Sequence, residues 1–166
     1  METETVAEPK SVSDSAPRIV YGRAIRIIDG KPVFVPTGGS QREFIESEAP
    51  EIMYNADMGG GKSIAGCVKA HRLAVRYAGA RCLILRATAV SCRRTTRDIF
   101  RDNFLGPTIF DQRWRESDNM LVYPNGSRII FAGLDDPTSW QSGEFDFAFL
   151  DEVIPHLAGG RGLTES

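Results

Sequence analysis

The chain has 166 residues, 42% of them apolar, with 20 basic against 22 acidic side chains and a formal net charge of -2. That length and apolar content suit one domain with a sizeable core. The near balance of charge excludes bulk attraction to nucleic acid, so any such contact needs a local basic patch.

Residues 1–17 are polar, acidic and rich in Ser, Thr and Pro, which predicts a disordered leader before a domain over 18–153. A hairpin is expected from Arg23 to Val35, turning at Asp29-Gly30, with Pro32 marking its second arm as an edge. Ser40-Gln41-Arg42-Glu43 has a capping-box pattern and predicts a short helix to about Ser47. Glu51-Ile52-Met53-Tyr54 reads as the first buried strand. It runs into Asn55-Ala56-Asp57-Met58-Gly59-Gly60-Gly61-Lys62-Ser63 and then a helix-compatible stretch, Ile64 to Ala78, with Ile64, Val68 and Val75 as its core stripe.

A strand that turns through Gly59, Gly60 and Gly61 into a helix opening Lys62-Ser63 has the chemistry of a phosphate cradle. Glycines permit the tight turn and aim N–H groups inward, and the helix N-terminus adds partial positive charge. Lys62 can reach the β- and γ-phosphates of a nucleotide, and the Ser63 hydroxyl can ligate Mg²⁺. A Gly-rich turn that merely caps a helix needs neither side chain.

Further along, Arg81 to Arg86 reads as a buried strand and Ala89 to Phe104 as a helix bearing Arg93, Arg94, Arg97 and Arg101. Asn119 to Gly133 reads as a second hairpin around Asn125-Gly126. Phe145 to Glu152 is an apolar run ending in two acids. As a buried strand it would deliver Asp151 to the Mg²⁺ held by Ser63 and set Glu152 to polarise a water. Residues 154–166 predict an irregular tail. The alternation implies an α/β fold: a three-layer phosphate-loop NTPase with a mostly parallel central sheet. Cys67, Cys82 and Cys92 lack metal-ligand spacing and fit reduced core residues in an intracellular compartment. His71 and His156 are far apart and suggest nothing catalytic, and no apolar run approaches membrane-spanning length.

In order, these landmarks resemble the large terminase subunit of tailed bacteriophages, the ATPase motor that packages viral DNA into a preformed capsid. The resemblance covers roughly residues 38–153 and rests on the 59–63 loop, Leu83-Ile84-Leu85-Arg86 with the Arg/Ser/Thr-rich helix after it, Tyr123 to Asp136, and Gly143 to Glu152. It implies ATP and Mg²⁺ as ligands, with Gln41 and Phe44 as the adenine-reading segment. It also implies double-stranded viral DNA, a portal protein, a small terminase subunit and a homo-oligomeric ring as partners, in the host cytoplasm. The family often has an arginine four residues before the lysine, where this chain has Met58. Arg86, at the carboxyl end of a strand, is the first candidate for that role on the γ-phosphate, with Arg93, Arg94 or a neighbouring subunit as alternatives. The family's nuclease domain follows the Asp-Glu pair and is absent here, so no cleavage activity is expected and the sheet should be incomplete on its C-terminal side. A superfamily 2 helicase and a non-catalytic nucleotide-binding fragment are the rival readings.

Overall fold

The computed structural model describes residues 24–56 and 59–152. The expected leader and tail, and the loop residues Asp57 and Met58, lie outside them. Strands β1 (Ile25–Ile28) and β2 (Lys31–Phe34) form the expected hairpin. Asp29 and Gly30 at its turn have φ of 50° and 72°, the left-handed pair that a two-residue turn needs. Pro32 is tolerated because β2 pairs with β1 alone. Helix α1 (Gly39–Glu46) takes Gly38 as its N-cap and has no side-chain cap. The expected capping box does not close, because Ser40 already lies inside the helix, past the position from which a hydroxyl caps.

Helix α2 (Lys62–Arg76) follows the glycine loop. Its buried residues are Ala65, Gly66, Cys67, Val68, Lys69, Ala70 and Ala74, and Val75, expected in the core stripe, is 57% exposed. Small residues take the inward row because the helix lies close on the sheet. At Gly66 an added Cβ would sit 2.2 Å from the Phe149 ring. Alanine favours a helix interior by about 1 kcal/mol over glycine, but a rigid ring at that distance cannot yield cheaply. Gly66→Ala is therefore expected to lower stability by about 1–3 kcal/mol in chemical denaturation; equal or greater stability would show that helix propensity wins.

The main sheet has five strands in the order β4-β5-β6-β3-β7. Its members are β3 (Arg81–Arg86), β4 (Trp114–Arg115), β5 (Met120–Val122), β6 (Arg128–Gly133) and β7 (Phe147–Leu150). β3 runs parallel to β6 and β7, whereas β5 is antiparallel to β6 and to β4. The sheet is thus mixed, not mostly parallel. A direct turn from β5 to β6, closed by the Tyr123 N–H on the Ser127 carbonyl at 2.9 Å, leaves no room for the crossover that a parallel neighbour requires.

Between β3 and β4 lies one helical run and a short helix, α4 (Pro107–Arg113). The run starts as α3 (Ala89–Ser91) and continues through π-helical segments Cys92–Thr96 and Ile99–Leu105. Cys92, Thr96, Phe100 and Phe104 are all buried. In an α-helix, residues four apart drift about 40° round the axis per step. The wider π turns cancel that drift, which keeps the four in line against the sheet.

Cys82, Ile84, Ile129, Phe131 and Phe149 meet α2 and the 89–105 run in the main core. On the other face Leu83, Leu85 and Ala132 pack with Ile130, Leu134, Trp140 and Phe145. Among the described residues, helices cover one face and the 134–146 segment the other. Residues 51–54, expected as the first buried strand, form none, and Met53 is 94% exposed. A strand needs a bonded neighbour, and a cleft of about 1130 Å³ separates this segment from β7.

His71 Nδ1 lies 2.8 Å from the Tyr123 hydroxyl. Burial, aided by the Arg113 charge, lowers its pKa from 6.5 to about 4. The unfolded chain therefore binds the extra proton between those values. His71 contributes stability that is complete above pH 6.5 and lost as pH falls towards 4. Denaturation midpoints at pH 7.5 and 5 should differ, and less so in His71→Gln; an unchanged difference would remove His71 as the cause.

Candidate nucleotide site

β3 and β7 are parallel neighbours, so both deliver their carboxyl ends to one place. Arg86 ends β3 and Asp151 follows β7, its N–H bonded to the Leu85 carbonyl at 2.8 Å. The start of α2 meets them there because Gly66, a turn further on, rests on Phe149. The result joins two groups 88 residues apart: Ser63 Oγ donates to Asp151 Oδ1 at 2.9 Å.

Asp151 is 3% exposed, and burial raises its pKa above the usual carboxylate value against the lowering effects of the Ser63 hydroxyl, Arg86 and Lys62. Arg86, 6% exposed, sets Nε 3.3 Å from Asp151 Oδ2 and pairs through Nη2 with Glu152 Oε2. Glu152 itself has φ of 50°, left-handed for a non-glycine residue, and its side chain is 67% exposed. The sequence candidate Arg86 thus contacts both acids.

Gly59 and Gly61 have φ of 81° and 72°. α2 has no side-chain N-cap and no acidic residue in its first turn. A helix start with no acid in its first turn is a place that can receive an anion. Lys62 Nζ donates to the Ala56 carbonyl, folding back over the loop it would share with phosphates. Tyr54 OH stands 3.5 Å from the Gly60 carbonyl and its ring stacks on Phe44.

Gln41 is 1% exposed, and both ends of its amide are engaged. Its oxygen accepts the Thr37 N–H at 2.8 Å, and its nitrogen donates to the Gly61 carbonyl at 3.2 Å. It braces the loop. Of the helical arginines, Arg97 pairs with Glu116 and lies over Trp114, and Arg101 meets Asp111. Arg93 is half-buried and Arg94 exposed on the same run.

The donor set fits Mg²⁺. Ser63 Oγ and Asp151 would supply hard oxygen ligands, and Asp151 Oδ2 is buried with no hydrogen bond, its contact among the described residues being the 3.3 Å ion pair with Arg86 Nε. The thiols offer no competing chemistry: all three are buried and free, and burial raises Cys82 to about 12 and Cys92 to about 11, so they stay protonated at neutral pH. Lys69, which sequence reasoning passed over, is buried and bonds to carbonyls at the end of α1. A lysine inside the apolar row Cys67-Val68-Lys69-Ala70 was the available signal.

Comparison with family models, curated proteins and solved structures finds no match to this chain. No helix among the described residues is long and apolar enough to cross a membrane.

Proposed function

We propose that the chain is a phosphate-loop ATPase whose Mg²⁺-dependent hydrolysis of ATP drives viral DNA packaging, as in the terminase large subunits it resembles. The observation that carries the reading is the 2.9 Å contact between Ser63 at the loop and Asp151 after β7. A helix cap alone gives no reason for an acid 88 residues away to meet that hydroxyl.

The phosphates would lie against Gly59, Gly60, Gly61 and the first N–H groups of α2. Bound Mg²⁺ would neutralise charge on the β- and γ-phosphates, held by Ser63 and Asp151. Lys62 exchanges the Ala56 carbonyl for phosphate oxygen. Glu152, released from Arg86, accepts the proton of the attacking water, and Arg86 is left to offset the charge that spreads over the transferred phosphoryl group. Gln41 and Phe44 would serve the base end, but with both ends of its amide engaged Gln41 acts there by bracing the loop and not by facing adenine. Double-stranded viral DNA, a portal protein, a small terminase subunit and further copies in a ring are the partners of this reading, and the host cytoplasm is its compartment.

Phosphate release from MgATP by the purified chain, with and without DNA, tests it. Release that requires Mg²⁺ supports the hydrolase. Tight MgATP binding without release would favour the non-catalytic nucleotide-binding module, and no binding would sink both.

A further inference from the structure

Resting on that reading, we infer that Lys69 is a positioning residue, a clamp that holds α1 so that Gln41 braces the phosphate loop. α1 has eight residues, no side-chain N-cap and no basic residue in its last turn. So short a helix has little stability of its own, and its final carbonyls need donors. Lys69 supplies them from α2. Its Nζ donates to the Phe44 carbonyl at 2.9 Å and to the Ser47 carbonyl, and it reaches the Ile45 carbonyl at 3.5 Å. Three acceptors match the three protons of an ammonium. The Phe44 ring lies 5.4 Å from the same nitrogen. Lys69 is 7% exposed, and no carboxylate within ion-pair distance offsets its burial among the described residues. An apolar side chain would fill that space at lower cost, so the amine's contribution lies in what it holds.

It holds a strut. The other end of α1 bears Gln41, whose amide nitrogen reaches the Gly61 carbonyl at 3.2 Å. Gly61 is the left-handed N-cap of α2, and a Cβ there would come within 2.6 Å of that nitrogen. α1 therefore bridges two points of α2, its N-cap and Lys69, which lie about 12 Å apart at the helical rise per residue. Freed at the Lys69 end, α1 can swing and withdraw Gln41, and the glycine turn loses its brace.

Amide exchange in the nucleotide-free protein tests this. The probe is the Ala65 N–H, bonded to the Gly61 carbonyl at 2.9 Å; the Ile129 amide in β6 reports global opening. Lys69→Met and Gln41→Ala are each expected to speed Ala65 exchange about tenfold, with the double variant no faster than the singles and Ile129 unchanged. If Lys69→Met does not fold, Lys69→Gln, which keeps one donor, takes its place. Unchanged Ala65 exchange, effects that multiply in the double variant, or equal acceleration at Ile129 would overturn the clamp. MgADP affinity is the second readout. Wild-type protein that binds no nucleotide refutes the ATPase reading while the exchange data still decide the clamp. Wild-type binding that Lys69→Met leaves unaltered refutes the clamp's role at the site alone.

Discussion

Glu152→Gln is expected to keep MgATP affinity within a small factor of wild type while turnover falls by about 10²–10⁴-fold, the contribution of a positioned general base. Glutamine preserves the size and the exposed position of the side chain after β7 but cannot take a proton from water. The substitution also removes the charge that Arg86 pairs with in the nucleotide-free site. Binding should therefore not weaken, since phosphate no longer competes with that carboxylate for the guanidinium. Comparing single-turnover phosphate release with equilibrium binding separates the two effects. Turnover at the wild-type rate would show that another group activates the water.

Lys62→Ala is expected to cost about 3 kcal/mol in MgATP binding, roughly a hundredfold in Kd, because a charged hydrogen bond to phosphate disappears from a part-buried site. The backbone of the cradle remains in this variant. The bond from Lys62 Nζ to the Ala56 carbonyl is also given up. Calorimetric titration with MgATP measures the loss. An unchanged Kd would remove the ammonium from the phosphate site.

Much of the site was legible because its chemistry is tied to residue type. A lysine and a serine after three glycines, and two acids after an apolar run, have few combined uses, and the parallel β3–β7 pairing sets Ser63 against Asp151, although β7, expected as a buried strand, leaves Leu150 52% exposed. Arg86 was half legible: its place at a strand end follows from the Arg81–Arg86 run, but its pairing with both acids needs coordinates. Other features depend on what an element packs against. Residues 51–54 have the composition of a buried strand, yet a strand exists only beside another, and among the described residues none pairs with them. Val75 looks like core on a helical wheel, but small residues won the inward row because α2 lies so close on Phe149. The parallel sheet was inferred from alternation, while the turn at Asn125-Gly126, itself read as a hairpin, already dictated an antiparallel pair. Lys69 escaped notice because a lysine in a helix usually signals solvent, and only the unmet carbonyls of a short neighbouring helix give it a buried task.

The measurement that bears most directly on the proposed site is manganese affinity, read by electron paramagnetic resonance with Mn²⁺ in place of Mg²⁺ and a non-hydrolysable ATP analogue. Tight Mn²⁺ binding should require the nucleotide, and Asp151→Asn should weaken it about tenfold or more while the protein stays folded. Mn²⁺ that binds equally well without nucleotide, or that is indifferent to Asp151→Asn, would contradict a metal shared between the glycine loop and the acid after β7.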